Sequence, residues 1–196
     1  MRPQIPLIAC GIMKEEIRLL IARNNWPVDP IFLPSSLHVD FDKLQQALEQ
    51  SLLRFDRERC IVFYGVCHPL MDQILGERRA VRTPGQNCVA ICLGTERFSR
   101  ELAAGAFFLF EDWARNWERV VGTSMPGNPL VMQEIFSEGH SYLLAIRTPC
   151  SGDYRLEAEE VSRRTGLELR WLDIDLEQLE EALATTIDHA LERADD

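Results

Sequence analysis

Short apolar runs alternate with amphipathic stretches along the whole chain, and this pattern predicts strands that alternate with helices. The run 60–64 is continuously apolar, as in strands that a parallel sheet buries on both faces. The other predicted strands are 5–9, 28–33, 79–83, 106–110, 142–147 and 167–172. The predicted helices are 13–24, 41–55, a short one ending near 75, one through 113–121, 130–136, 154–164 and 176–194.

The segment 87–98 fits two kinds of element. Its run 89–93 is apolar enough for a strand, but Cys88, Cys92 and the following 96–102 favour a helix, which is our prediction. Farther along the chain, Gly166 is placed to end the predicted helix 154–164, because glycine readily adopts the left-handed conformation common at helix C-termini.

Strands that alternate with helices throughout predict βαβ units and a mainly parallel sheet. We therefore expect a single three-layer α/β domain over residues 1–196, Rossmann-like in architecture. The Gly- and Pro-containing region 122–140 is predicted to be an insertion or a lid.

Composition and charge exclude several classes of protein. The chain is 46% hydrophobic and 27% charged, the balance of a globular protein. Its net charge of −10 and pI near 4.9 argue against general nucleic-acid binding, which needs a basic face. No signal peptide and no apolar stretch of roughly 20 residues is visible, so we expect no membrane association and a cytoplasmic location. We expect a homodimer, because dimers are the most common assemblies of soluble proteins.

Several of the six cysteines follow predicted strands. Cys10 comes directly after the first strand, Cys67 after the third, Cys88 after the fourth and Cys150 after the sixth. Ligands bind at the carboxyl ends of the strands in open parallel sheets, so these positions predict a site. Cys60 and Cys92 are predicted to be core residues.

Cys10, Cys67 and Cys88 could together hold a metal. Thiolates suit zinc or an iron–sulfur cluster, and three protein ligands leave one coordination position open. His68 is an alternative fourth ligand. No CxxC pair occurs, which excludes the common zinc-finger and thioredoxin motifs. The alternative is that free cysteines are small buried hydrophobic residues.

A second interpretation makes Cys67 a nucleophile. It precedes His68-Pro69, and a proline at the first position of a helix would place the thiol near the positive end of the helix dipole. Adjacent side chains usually diverge, so His68 is not assigned as its base. A purely structural turn is the alternative.

Anion binding has weaker support in the sequence. Gly11 and Gly65 follow the first and third strands and are candidate cofactor-binding residues, but neither GxGxxG nor GxxxxGK[ST] occurs, so no nucleotide motif is present. Arg147 and Ser151 could receive an anion at a helix N-terminus. The simpler interpretation is that these residues cap the helix.

Several of these segments together resemble one family. They are Ala9-Cys10-Gly11, Tyr64-Gly65-Val66-Cys67, Asn87-Cys88 with Leu93-Gly94, Trp113, and Gly152-Asp153-Tyr154. Nearly the whole chain resembles the DUF1638 family of bacteria and archaea, which has no established activity. The resemblance implies that the cysteines at 10, 67 and 88 are site residues. Gln86-Asn87 stands where His-Asp is common in the family, and His68-Pro69 replaces a small-residue turn.

The resemblance also implies a partner. Members of the family are often encoded near corrinoid-dependent methyltransferases, which links them to one-carbon metabolism. The leading hypothesis is a three-cysteine metal protein, an enzyme or an accessory factor, that takes a small-molecule ligand and works with a corrinoid methyltransferase. The alternatives are a non-enzymatic module that binds a small molecule or a partner, and an enzyme that uses Cys67 as nucleophile.

Overall fold

The chain forms two compact units. The computed structural model describes residues 4–55, 60–76, 80–121 and 128–192. The first unit consists of Met1–Gly94 with Leu176–Asp196, and the second of Thr95–Asp175. The polypeptide therefore leaves the first unit after Gly94 and returns to it at Leu176. The single domain expected over residues 1–196 stays a prediction.

Parallel strands form one sheet in each unit of the described chain. The strands are β1 (Ile5–Cys10), β2 (Val28–Leu33), β3 (Cys60–Phe63), β4 (Ala80–Arg82), β5 (Ala106–Leu109), β6 (Tyr142–Arg147) and β7 (Glu168–Asp173). The first sheet has the order β2-β1-β3-β4 and the second the order β5-β6-β7. Every strand pairing within the described residues is parallel. The predicted α/β, Rossmann-like class is therefore confirmed, with the strands divided between two sheets.

Helices connect the strands in both units. In chain order they are α1 (Lys14–Asn24), α2 (Phe41–Leu53), α3 (Met71–Gly76), α4 (Cys88–Leu93), α5 (Thr95–Ala103), α6 (Glu111–Arg115), α7 (Trp117–Val121), α8 (Pro129–Gly139), α9 (Arg155–Thr165) and α10 (Glu177–Glu192). The helix predicted over 87–98 is confirmed, although Gly94 separates it into α4 and α5. Gly166 ends α9 with a left-handed φ of 72°, as predicted.

The burial of the first sheet follows from its strand order. β1 and β3 are inner strands, and the buried Leu7 and Ile61 face each other in the register between them. β2 lies at an edge, where Pro30 is tolerated because an edge strand can lack one backbone donor. The other edge is covered in part by α10, which packs against α4, β3 and β4.

The second unit has an aromatic core. Its buried cluster consists of Leu109, Ala114, Trp117, Phe136, Leu143, Ala145, Tyr154, Ala158, Val161 and Leu167. At the edge strand β7, Glu168 pairs with Arg170 at 2.6 Å. Charged side chains on an edge strand discourage pairing with another chain.

The insertion or lid predicted over 122–140 falls partly on 122–127, which lie outside the described residues, and most of the rest forms α8. Its role as a lid stays a prediction. No helix in the described part of the chain is long and apolar enough to cross a membrane.

Tyr154 gives the first testable prediction. Its side chain is 1% exposed, and its hydroxyl donates a hydrogen bond of 2.6 Å to the carbonyl of Ile146. We expect Tyr154→Phe to lower the free energy of unfolding by about 1–3 kcal/mol, because the buried acceptor loses its donor while the packing on Trp171 is kept. Urea unfolding followed by circular dichroism measures this change. A variant as stable as the wild type would contradict it.

Candidate functional site

The carboxyl ends of three neighbouring strands carry the predicted site cysteines. β1 ends at Cys10, Cys67 lies in the loop after β3, and Cys88 begins α4 after β4. The sheet order places β1, β3 and β4 side by side, so these cysteines lie together at the carboxyl ends of the strands. Burial raises the pKa of the Cys88 thiol well above its ordinary value, and the nearby Cys10 and Cys67 raise it further.

Tyr64 lies within electrostatic reach of the three cysteines. It directly follows β3 and is 3% exposed. Burial raises the pKa of its hydroxyl well above the usual range, and all three cysteines contribute to the increase. The hydroxyl makes no hydrogen bond of ordinary geometry with any described residue, although the Cys10 thiol is close enough to act as a weak partner.

Gly65 allows the two loops that carry Cys67 and Cys88 to touch. A Cβ atom at Gly65 would lie 2.4 Å from Asn87 Cα and 2.5 Å from the carbonyl oxygen of Gln86. Next to it, the Val66 N–H donates to the same Gln86 carbonyl at 2.8 Å. Gly65, a candidate for cofactor binding, thus has a clear packing reason to be glycine.

The positive charge of Arg82 acts on Cys67. Burial raises the pKa of the Cys67 thiol, whereas the guanidinium of Arg82 acts to lower it. Arg82 Nε is 3.1 Å from a carboxylate oxygen of Asp72, an ion pair that orients the guanidinium. The half-buried Cys67 thiol is therefore within electrostatic reach of one cation.

His68 is part of a buried turn. It is 4% exposed, and its ring packs edge-on against Phe41 with the centroids 5.5 Å apart. Its Nδ1 accepts a hydrogen bond of 3.0 Å from the Leu70 N–H, which assigns the proton of the neutral ring to Nε2. Neither nitrogen then offers a free lone pair in this position, and a ligand role for His68 stays a prediction.

The expected helix start at Pro69 is wrong. Pro69 lies in a turn, and α3 begins only at Met71. The Met71 N–H donates to the His68 carbonyl, so this segment closes a local turn before the helix begins. The argument that a helix dipole activates Cys67 is therefore lost, and burial of that thiol also disfavours the thiolate.

Gly11 begins a short 3₁₀ turn directly after β1. A Cβ at this position would lie 2.9 Å from the carbonyl oxygen of Leu33, at the end of β2. Close packing of the loop against the neighbouring strand accounts for this glycine. Its assignment to cofactor binding stays a prediction.

The predicted anion-binding residues Arg147 and Ser151 belong to the second unit. Arg147 forms a two-pronged ion pair with Asp173, at 2.6 and 2.9 Å. The Ser151 hydroxyl accepts a hydrogen bond from the Thr148 N–H, and the N–H of the next residue, Gly152, donates to a carboxylate of Glu111 at 2.7 Å. Carboxylates of the protein thus pair with Arg147 and with the Gly152 N–H, and an anion-binding role for Arg147 and Ser151 stays a prediction.

The other three cysteines are not among the predicted metal ligands. Cys150 belongs to the second unit, while Cys60 and Cys92 are each 2% exposed, as expected of core residues. In the described part of the chain, no three His, Cys, Asp or Glu side chains are placed to hold a metal ion together.

Tyr64 and Arg82 are missing from the sequence prediction. The apolar pattern predicts only that Tyr64 is the last residue of a strand and that Arg82 lies within a strand. The available signal was their position, since both lie at carboxyl ends of strands next to a cysteine-bearing loop.

Comparison with known proteins identifies the family. The model described as "Protein of unknown function (DUF1638)" matches residues 32–183, more than half of the chain. The chain belongs to this family. The matched segment of the DUF1638 protein includes Cys67 and Cys88 and begins after Cys10. Neither a curated protein nor a solved structure gives a significant match to it.

Proposed function

We propose that this DUF1638 protein binds a thiophilic metal, zinc or an iron–sulfur cluster, through Cys10, Cys67 and Cys88. The observation that carries the proposal is the position of the three cysteines at the carboxyl ends of neighbouring parallel strands. Beside them, the buried hydroxyl of Tyr64 makes no hydrogen bond of ordinary geometry with a described residue, which is uncommon in an apolar core because buried polar groups ordinarily find hydrogen-bond partners.

The chemistry of the donors fits such a metal. Thiolate sulfur is the preferred ligand of zinc and of iron–sulfur clusters, and three thiolates leave one position for an exogenous ligand. Three thiolates on Zn²⁺ carry a net negative charge, which the neighbouring Arg82 would partly balance.

Binding requires the thiols to approach one another. As placed, they do not form a ready three-ligand group. Sulfur–zinc bonds are roughly 2.3 Å long, so a bound ion would draw the sulfurs to within about 4 Å of each other. The raised pKa values of the Cys67 and Cys88 thiols mean that protons must leave as the metal enters.

The open coordination position would allow the site to bind a small molecule in methyl-transfer metabolism. A thiolate-bound metal can activate a thiol or polarise a carbonyl group of a small molecule. The family resemblance points to a corrinoid methyltransferase as partner, for which the protein would act as an enzyme or as an accessory factor.

Metal analysis tests the proposal. We expect anaerobically purified protein to contain about one zinc ion or one cluster per chain, and Cys67→Ala to lose it. Cys150→Ala is the matched control, because this half-buried cysteine lies in the second unit, and it should keep the metal. Wild-type protein that neither contains nor takes up zinc or iron would refute the proposal.

The same variants separate the alternatives. A non-enzymatic binding module would still bind its small molecule or partner after Cys10, Cys67 and Cys88 are all replaced by alanine. A nucleophilic Cys67 would react with iodoacetamide much faster than the other thiols at neutral pH. Cys67 is half-buried and burial raises the pKa of its thiol, so we instead expect slow labelling.

A further inference from the structure

The loops after β3 and β4 touch through their backbones. The Val66 N–H donates to the Gln86 carbonyl at 2.8 Å, and a Cβ atom at Gly65 would lie only 2.4 Å from Asn87 Cα. The Cα atoms of Gly65 and Asn87 are therefore no more than about 4 Å apart, since a carbon–carbon bond is roughly 1.5 Å long. Glycine permits this contact, because any side chain at Gly65 would collide with backbone atoms.

Each of the two loops carries a cysteine next to this contact. Cys67 directly follows Val66, and Cys88 directly follows Asn87. The Cys67 sulfur is within hydrogen-bonding reach of the Cys88 N–H, at the first residue of α4. Both residues are free cysteines and only half-buried. Two thiols on touching loops, each partly accessible to solvent, can exchange with an external disulfide and then with each other.

Cys10 is less suited to such an exchange. It is buried and forms the last residue of β1, where it lies opposite Leu33 in the parallel register with β2. A sulfur on a paired strand can move only if the strand end separates from its neighbour. Cys67 lies in a loop and Cys88 at the start of a short helix, so small backbone adjustments are easier there.

We infer that Cys67 and Cys88 form a reversible disulfide bond when the protein meets a low-molecular-weight disulfide such as oxidised glutathione. The inference does not depend on the proposed metal, since it needs only two thiols and the contact between their loops. The bond would join these loops covalently and withdraw both thiols from any ligand that they bind. Disulfides that form in reducing compartments are usually transient and catalytic or redox-sensing.

Two exchange steps complete the reaction. The Cys67 thiolate attacks one sulfur of the small disulfide, whose S–S bond breaks, and the first small thiol leaves with the proton that Cys67 gave up. The Cys88 sulfur then attacks the Cys67 sulfur and expels the second small thiol, which takes the Cys88 proton. Two protein thiols are thereby oxidised, and one small disulfide is reduced to two thiols. The contact of the loops favours the second step, because it is intramolecular.

Oxidation of the reduced wild-type protein tests the inference. We expect prolonged incubation with oxidised glutathione and a metal chelator to give a single chain whose mass is lower by two hydrogen atoms. Proteolysis without reductant should then release a peptide pair that joins Cys67 to Cys88, and dithiothreitol should separate it. The reaction should be slow, because burial raises the pKa of the Cys67 thiol and lowers its thiolate fraction.

Two variants serve as controls. Cys150→Ser replaces a half-buried cysteine of the second unit and should form the bond as the wild type does. Cys88→Ser should stop at the mixed disulfide and keep glutathione on Cys67. Wild-type protein in which Cys67 and Cys88 stay free, carry only glutathione or pair with other cysteines would overturn the inference. Failure to bind zinc or iron would refute the proposed function and leave this bond unaffected.

Discussion

Gly65→Ala is expected to destabilise the first unit by at least about 3 kcal/mol and to separate the loops that carry Cys67 and Cys88. The new methyl group would lie 2.4 Å from Asn87 Cα, closer than any tolerable contact. Overpacking usually costs about 1–3 kcal/mol when side chains can adjust. Here the nearest atoms belong to backbone, which adjusts less easily, so the cost lies at the upper end or beyond.

Two measurements check the Gly65→Ala prediction. Urea unfolding gives the loss of stability, and the rate of Cys88 labelling by a thiol reagent in the native protein should increase as the loops separate. Gly76→Ala in α3 is the control, because a Cβ there would meet no described atom within 4 Å, and it should cost no stability. Unchanged stability and unchanged labelling in Gly65→Ala would contradict the close approach of the loops.

Cys60 is expected to make the protein sensitive to alkali. Burial raises the pKa of its thiol from 9.0 to about 12. The unfolded chain loses this proton as the pH rises through 9, whereas the folded chain holds it until about 12. The stability from the neutral thiol is therefore fully present below pH 9 and is lost between these two values. The loss is up to about 1.4 kcal/mol per pH unit, on the order of 4 kcal/mol in total.

Comparison with Cys60→Ala isolates this contribution. The variant should be less stable than the wild type at pH 8, and its free energy of unfolding should fall less steeply up to pH 11. Val62→Ala is the control, since it shortens a buried side chain of β3 without an ionisable group and should keep the wild-type slope. Parallel curves for Cys60→Ala and the wild type would refute the prediction.

The pattern of apolar residues was sufficient to predict most elements. The strands at 28–33 and 142–147 have the predicted bounds, because each is a short apolar run between clear breaks. The division into two sheets was not predictable, since periodicity says where strands occur but not which strands pair. The start of α3 was placed too early because Pro69 suits a turn as well as a first helical position.

The candidate site was predictable in outline. Cysteines that follow successive parallel strands must approach one another when those strands are neighbours, and β1, β3 and β4 are neighbours. The electrostatic partners were harder to predict, because the effect of Arg82 on the Cys67 thiol depends on how the loop after β3 folds. That the Tyr64 hydroxyl makes no hydrogen bond of ordinary geometry can be recognised only once the positions of the surrounding polar atoms are known.

The return of α10 to the first unit bears on the order in which the protein is made. A ribosome synthesises the whole second unit, Thr95–Asp175, before it reaches α10. Until then, α4 and β3 lack the helix that packs against them, and exposed apolar surface of this kind favours aggregation. The first unit is therefore completed only after the whole second unit has been synthesised.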